Sequence, residues 1–281
     1  MLNLVVEIEP NSGFCFGVKN AIKKAEEILN LGEELYSLGE IVHNDQEIKR
    51  LEEKGMKTIS YAEFEKLQNK TILFRAHGEP PESYKIAEKN HVKVIDASCP
   101  IILKLQEKIS RSFLQHENIY IFGVPNHPEI IGLNGKINNS AVVFEKYEDL
   151  DLNKLPKKIT LYSQTTKSLK QFYAIIKELR EHDITVKIVD SICRQVSNRE
   201  QDLREFCRMF DTIVFVAGTN SSNGKQLYEI CRQENPDTNF VSTVNEIKPV
   251  WFRLNERVGI CGATSTPLWL IQDVKNYLLA L

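Results

Sequence analysis

The feature that most constrains the fold is an internal repeat with a cysteine at the same place in each copy. Two distant segments, 94–99 and 188–193, end almost alike and both finish on a cysteine. A glycine stands 24 residues after both Cys15 and Cys99, and a histidine stands four residues after each of those glycines. After Cys193 the glycine comes one residue later, and Ser222 takes the place of the histidine. A period of this kind indicates three related structural units.

Short β-rich runs alternate with stretches of helical spacing along the whole chain. The segment 18–29 has apolar residues at intervals of three and four, which is typical of an amphipathic helix. Strands that alternate with such helices predict βαβ units and small, mostly parallel sheets. The strand candidates include 4–8, 71–74, 92–95, 119–122, 159–162, 186–189, 213–216 and 257–261.

We expect an α/β fold of three lobes related by a pseudo-threefold axis, each a small sheet flanked by helices. Counting strands between the cysteines leaves the last third one short, and the N-terminal strand supplies the missing one. The predicted lobes are therefore 16–99, 100–193, and 194–281 completed by 1–15. Such a ring would bring Cys15, Cys99 and Cys193 together at its centre.

Composition excludes several classes of protein. The chain is 42% hydrophobic, which supports a real core, and its net charge of −2 gives no general reason to bind nucleic acid or an anionic membrane. No apolar run approaches a membrane span, and the N-terminal residues do not resemble a signal peptide. We expect a cytoplasmic protein with reduced thiols, without a nucleic-acid or membrane partner.

Three converging cysteines offer soft ligands that suit zinc or an iron–sulfur cluster. The alternative is that each is a small residue tolerated where a strand turns into a helix. Cys207 and Cys231 lie among apolar residues at helical spacing and are expected in the core. Cys261 ends a strand beside a polar loop, and its role stays open.

Polar loops follow the strand ends and could form a cavity rich in hydrogen-bond donors, which suits phosphate or diphosphate. The nearby acid able to deliver a proton is Glu129, whose alternative role is that of a solvated loop carboxylate. The run 218–225 looks like a phosphate-binding P-loop but has the wrong glycine spacing, so Lys225 is expected to be solvated. The loops contribute His43, His77, His127, Ser221, Ser222, Asn223 and Ser265.

These motifs together resemble the LytB family of 4-hydroxy-3-methylbut-2-enyl diphosphate reductases, from the non-mevalonate isoprenoid pathway. The last loop departs from the family's usual pattern because its glycine is displaced, which leaves the geometry around Ser265 open. The motifs that carry the resemblance are 13–18, 42–44, 76–78, 96–100, 126–129, 163–166, 191–193, 218–223 and 265–267.

The resemblance implies one 4Fe-4S cluster on Cys15, Cys99 and Cys193, with a fourth iron open to the substrate hydroxyl. It implies an iron–sulfur reductase that removes this hydroxyl with two electrons, giving isopentenyl and dimethylallyl diphosphates. Glu129 would pass the proton, with Thr165 and His127 beside it. An external donor such as ferredoxin or flavodoxin would supply the electrons. The diphosphate would be bound by His43, His77, His127, Thr165, Ser221, Ser222, Asn223 and Ser265.

Two other functions fit three cysteines. One is a cluster enzyme of the quinolinate synthase type, which condenses rather than reduces and would leave the 127–129 loop unexplained. The other is a structural zinc protein that uses three cysteines and one histidine. Metal content and colour distinguish the zinc protein, and turnover distinguishes the two enzymes.

Overall fold

The computed structural model describes all residues from Met1 to Leu281 and contains three four-stranded sheets in which every strand pairing is parallel. No helix combines the length and apolar character needed to cross a membrane. The strands are β1 (Val5–Ile8), β2 (Leu35–Leu38), β3 (Met56–Ile59), β4 (Thr71–Phe74), β5 (Lys93–Asp96), β6 (Ile119–Phe122), β7 (Val142–Phe144), β8 (Lys158–Ser163), β9 (Thr185–Ile188), β10 (Thr212–Val216), β11 (Thr238–Val241) and β12 (Arg257–Gly262).

Helices connect the strands and cover the sheets, as parallel crossovers require. Short 3-10 turns at 147–149, 152–154, 244–246 and 249–251 complete the connections. The helices are α1 (Phe16–Leu29), α2 (Asp45–Glu53), α3 (Tyr61–Phe64), α4 (Pro81–Lys89), α5 (Pro100–Leu114), α6 (Pro128–Gly135), α7 (Leu169–Glu181), α8 (Arg194–Ser197), α9 (Arg199–Cys207), α10 (Ser222–Glu234) and α11 (Leu268–Ala280).

The three sheets share one strand order. Two of them run β3-β2-β4-β5 and β7-β6-β8-β9, and the third runs β11-β10-β12-β1. The N-terminal strand β1 therefore takes the position that β5 and β9 take in the other sheets, and Val5 to Ile8 pair in register with Arg257 to Ile260. Because all pairings are parallel, the carboxyl ends of the strands in each sheet meet at one edge, where ligand-binding groups gather in such folds.

The predicted class, small parallel sheets flanked by helices, is confirmed. Strands β4 and β6 begin and end at the predicted residues, and the other named candidates agree within one or two residues. The sequence pattern does not predict β3, β7 or β11, which are edge strands with one partner each. Edge position alone does not explain this, because the edge strands β1, β5 and β9 are among the predicted strands. Strand β7 has only three residues, and its Val142 is 46% exposed, so it lacks a continuous apolar run.

The chain divides into two compact units. Unit 1 comprises residues 1–22, 40–55 and 198–281 and contains the sheet completed by β1. Unit 2 comprises residues 23–39 and 56–197 and contains the other two sheets. The lobe boundaries at residues 99 and 193, and the pseudo-threefold axis, stay predictions.

The core of unit 1 lies on both faces of its sheet. Successive side chains of a strand point to opposite faces. Val214 and Val216 of β10 accordingly join one apolar cluster with Ile260, whereas Phe215 joins a second cluster together with Cys261. Both faces of the sheet are therefore buried under apolar side chains. Cys261 belongs to the face covered by α9 and α10.

Candidate active site

The three cysteines of the repeat occupy the same kind of position. Cys15, Cys99 and Cys193 each immediately precede the first residue of a helix, and each is half-buried. None of them is part of a disulfide. A half-buried thiol is shielded from bulk water on one side and open to a ligand on the other, and sulfur is the donor that soft metals prefer. The donor type and setting therefore suit a cluster of soft ligands.

A backbone hydrogen bond repeats at all three cysteines. In each case the cysteine N–H donates to the carbonyl oxygen of the residue two positions after a strand end. The same bond therefore ties each cysteine to the loop after a strand end at three repeat-related sites. The acceptors are Thr264 for Cys15 at 3.0 Å, Ala76 for Cys99 at 3.0 Å and Thr165 for Cys193 at 2.9 Å.

In unit 2, the buried carboxyl of Glu129 is bound by one residue. The backbone N–H of Thr165 donates to Oε1 at 2.7 Å, and its hydroxyl donates to Oε2 at 2.7 Å. Glu129 is only 2% exposed, so the alternative of a solvated loop carboxylate is wrong. Burial raises the pKa of Glu129 from 4.5 to about 7, against the two hydrogen bonds, which lower it. The group can therefore hold or release a proton at neutral pH.

Two histidines accompany Glu129 in unit 2. The rings of His77 and His127 lie 5.3 Å apart between centroids, edge to face at 90°. His127 caps the N-terminus of α6, because its Nδ1 accepts a hydrogen bond of 3.2 Å from the Glu129 backbone N–H. An accepting Nδ1 assigns the ring proton to Nε2. The His127 ring is therefore set to donate through Nε2.

The residues two positions before and after His77 in the sequence form a buried ion pair. Arg75 donates to Glu79 at 3.3 Å, and both residues are at most 5% exposed. Gly39, at φ +70°, lies directly against the guanidinium, since an added Cβ would be 2.5 Å from Arg75 Nη1. Glu79 also accepts a hydrogen bond from Tyr61. This network supports the loop of His77, and the repeat pattern does not predict it.

In unit 1, the loop that opens α10 is tied to the loop after β12. The hydroxyls of Ser221 and Ser265 are hydrogen-bonded at 2.8 Å, and Ser221 also caps α10 by accepting from the Gly224 N–H. Asn223 Oδ1 accepts from the Thr264 hydroxyl at 2.8 Å. The buried Nδ2 of Asn223 has no hydrogen-bond partner, whereas Ser222 is exposed. Unit 1 therefore presents a buried amide donor at a helix N-terminus.

The second loop of unit 1 carries His43 just before the N-terminus of α2. Its Nδ1 lies 3.1 Å from Glu40 Oε2, and the following residue, Asn44, caps the helix. The Asn44 Nδ2 is also buried without a partner, which makes it a donor that the sequence prediction missed. Gly218 packs under this loop, since an added Cβ would be 2.4 Å from the His43 carbonyl oxygen.

Several of the predicted anion-binding residues share one setting, the N-termini of the helices that follow β2, β6 and β10. His43, His127 and Ser221 stand at or beside the caps of α2, α6 and α10. A helix N-terminus presents unpaired N–H groups and a partial positive charge, which bind phosphate well. Lys225 is exposed on α10, as expected for a residue outside a P-loop.

The remaining cysteines form a separate group in unit 1. Cys207 and Cys231 are buried in the apolar core, so that prediction is confirmed, and Cys261 is buried with them. Their three sulfurs lie within 4.8 Å of one another, which the sequence does not predict. Hydrogen bonds from Cys231 and Cys261 lower the pKa of Cys207, and burial raises that of Cys261.

The fold and the loops define a class: an α/β protein of three parallel sheets whose helix N-termini carry cysteines, histidines and a buried acid. The chain matches the family described as LytB protein over residues 6–279 and belongs to that family. The resemblance predicted from the motifs is thereby confirmed.

Relatives of known name cover the chain from end to end. Proteins named 4-hydroxy-3-methylbut-2-enyl diphosphate reductase from Bacteroides fragilis and Bacteroides thetaiotaomicron are 45% and 46% identical. The alignments cover 98% and 97% of this chain and 97% of each relative. A similarly named protein from Chloroherpeton thalassium is 43% identical, over 98% of this chain and 96% of its own.

Two solved structures share the fold. One is titled as (E)-4-hydroxy-3-methyl-but-2-enyl diphosphate reductase, the terminal enzyme of the non-mevalonate pathway, with a TM-score of 0.75, 33% identity and full coverage of both chains. The other is titled as E-1-hydroxy-2-methyl-but-2-enyl-4-diphosphate reductase from Plasmodium falciparum, with a TM-score of 0.85 and 29% identity. It covers 98% of this chain and 87% of the solved one.

Proposed function

We propose that this chain is a reductase that removes the hydroxyl of 4-hydroxy-3-methylbut-2-enyl diphosphate and gives isopentenyl and dimethylallyl diphosphates. The family membership and the names of the full-length relatives support the substrate and the reaction. The structural observation that carries the proposal is the buried Glu129–Thr165 pair next to His127. A carboxyl with a pKa near 7 suits a reaction that consumes protons at neutral pH.

The diphosphate would be bound by neutral donors in strand-end loops and at helix N-termini rather than by lysine or arginine. His43, His77, His127, Thr165, Ser221, Ser222, Asn223 and Ser265 are the proposed contacts. The buried Nδ2 of Asn223 supports this proposal, because a buried donor without a partner costs free energy until a ligand accepts from it. The Asn44 Nδ2 is a further donor of the same kind.

Cys15, Cys99 and Cys193 would hold a 4Fe-4S cluster, which is proposed from the family and from the repeat. When bound, such a cluster would supply electrons to the allyl fragment and Lewis acidity to the departing hydroxyl. The half-buried thiols, each at the start of a helix, are suitable ligands.

Proton delivery is the role proposed for Glu129. The net reaction breaks the C–O bond, consumes two electrons and two protons, and forms a new C–H bond and water. The Thr165 hydroxyl donates to the carboxylate at 2.7 Å and can pass a proton between it and the substrate hydroxyl. Burial excludes bulk water from the carboxyl and raises its pKa to about 7, close to neutral pH.

The electrons would come from an external one-electron carrier such as ferredoxin or flavodoxin. A cytoplasmic location goes with such a carrier and with the reduced thiols.

The test is anaerobic purification followed by turnover with the hydroxylated diphosphate and a chemical reductant. We expect a brown protein with about four irons per chain and formation of both products. A colourless protein with stoichiometric zinc and no turnover would contradict the proposal and favour the structural zinc protein. A brown protein without reductive turnover would favour a cluster enzyme of another type.

A further inference from the structure

We propose that Cys207, Cys231 and Cys261 form a second metal site in unit 1, for one soft closed-shell cation of the Cu⁺ or Zn²⁺ class. The three residues come from α9, α10 and β12, and their sulfurs lie within 4.8 Å of one another. All three side chains are completely buried. The site is separate from the cysteines proposed to hold the iron.

The spacing of the sulfurs suits direct coordination. A metal ion bound to three sulfurs at about 2.3 Å in one plane requires sulfurs about 4.0 Å apart. That separation lies inside the 4.8 Å limit within which all three Sγ atoms fall. Only small side-chain movements are therefore needed to close the site around an ion.

The surroundings select a soft ion. The walls are aromatic and aliphatic, with Phe206, Phe210 and Phe215 in the same buried cluster. No histidine or carboxylate joins the three sulfurs in the group. Sulfur-only sites favour Cu⁺ and Zn²⁺ over hard cations such as Mg²⁺, which require oxygen ligands.

A buried arginine with two unpartnered nitrogens, although already paired with Glu9, would offset part of the charge that metal binding would create. Three thiolates around a cation leave a net negative charge in an apolar core, which is costly unless it is compensated. Arg199 interacts electrostatically with Cys231, and its Nη2 donates to the Gly262 carbonyl at 2.7 Å, next to Cys261. Although Glu9 accepts from Nη2 at 3.0 Å, the buried Nε and Nη1 have no hydrogen-bond partner.

An ion at this site would join two helices to the central part of a sheet. It would fix α9 and α10 on β12, and the loop after β12 carries Thr264 and Ser265. Binding would release the thiol protons and involves no change of oxidation state. Its consequence is therefore stability of unit 1 and not electron transfer.

The test measures copper, zinc and iron per chain in the full-length protein, purified without oxygen from cells grown with added zinc or added copper. We expect about one equivalent of one soft ion that remains after the iron is removed by a chelator under reducing conditions. X-ray absorption at that metal's edge should show three sulfur neighbours at about 2.3 Å. Nitrogen or oxygen neighbours only, or no copper and zinc in either preparation, would overturn the proposal.

Variants separate this site from the iron site. Cys231→Val should lose the soft ion and keep the iron, whereas Cys15→Ser should lose iron and keep the soft ion. Cys207→Val provides a second variant should Cys231→Val fail to fold, and circular dichroism checks the fold of each. Retention of the soft ion in both folded valine variants would overturn the proposal.

Discussion

The six cysteines of this chain fall into two groups of three with opposite surroundings. Cys15, Cys99 and Cys193 are half-buried, precede helices and share one backbone hydrogen bond. The second group is completely buried among aromatic side chains, with its sulfurs close together. The sequence repeat identifies the first group, whereas only the packing of the structure identifies the second.

In the two proposed assignments, the same side chain serves two kinds of metal chemistry. A ligand that must admit a substrate has to stay near the surface, among polar loops with open donors. A ligand that only stabilises can be sealed in the core. We therefore expect changes in the first group to remove activity, and changes in the second group to affect stability and soft-metal content.

The largest effect is expected from Cys99→Ser. Serine keeps the shape of the α5 cap but offers a hard oxygen in place of a thiolate. Iron content and reductive turnover should both be lost, whereas Cys207→Val should keep both. Iron analysis and product formation check this pair of variants. Full activity in Cys99→Ser would break the distinction between the two groups.

Glu129→Gln should lower turnover by about 10²- to 10⁴-fold, since a positioned acid contributes about that much. The visible absorbance of the cluster should survive, because Glu129 is not a ligand. Steady-state kinetics beside an absorbance spectrum measure both quantities. Unchanged turnover would rule out Glu129 as the proton donor.

The same variant should change the pH dependence of stability. The pKa of Glu129 is about 7 in the folded chain against 4.5 for an unperturbed carboxyl, so the folded state binds the proton more tightly. The associated stability is complete below pH 4.5 and is lost as pH rises through about 7. The free energy of unfolding of Glu129→Gln, relative to that of the wild type, should therefore rise by roughly 3 kcal/mol between pH 4.5 and about pH 7. Urea unfolding at pH 5 and pH 8 measures the difference, and equal shifts at both would contradict it.

Thr165→Val should move the alkaline limb of the pH–rate profile to higher pH. The lost hydroxyl bond to Oε2 favours the carboxylate, so its removal raises the pKa of Glu129 further. Thr165→Ser keeps the hydroxyl and should keep the limb in place. An identical profile in the valine and serine variants would show that the hydroxyl does not act on Glu129.

Gly39→Ala tests the support of the His77 loop. Its φ of +70° costs an alanine about 1–2 kcal/mol, and the added Cβ would also meet the buried Arg75 guanidinium at 2.5 Å. Gly32, at φ +73° with nothing within 4 Å of an added Cβ, is the matched control. In urea titrations, Gly39→Ala should lower the free energy of unfolding more than Gly32→Ala does. Equal losses would show that the Arg75 side chain moves away from the added methyl group without a cost in stability.

Lys225→Ala should have the smallest effect. The side chain is exposed on α10 and is not the lysine of a P-loop. The KM for the diphosphate substrate should match that of the wild type. A large rise in KM would reveal a phosphate contact that the helix-start position does not suggest.

Much of the fold and half of the cysteine pattern could be predicted from local sequence. The repeat spacing identified Cys15, Cys99 and Cys193 because each ends a similar strand-to-helix segment. Buried strands such as β6 could be recognised by their continuous apolar runs. Strand β7 could not, since its three residues and partial exposure leave little pattern.

Contacts between distant elements could not be predicted in this way. Cys207, Cys231 and Cys261 lie on two helices and a strand, and their proximity depends on how α9 and α10 pack on β12. The burial of Glu129 was equally out of reach, because its polar neighbours in the sequence also suit an exposed loop. The Thr165 contact that defines it spans 36 residues.

The most direct test of the central claim is alkylation of the native chain, with and without iron, followed by peptide mass spectrometry. We predict that Cys15, Cys99 and Cys193 are protected in the iron-loaded protein and react after the iron is removed. Cys207, Cys231 and Cys261 should stay unreactive in both states until urea unfolds unit 1. Equal reactivity of the first group in both states, or exposure of the second group on iron removal, would contradict the account.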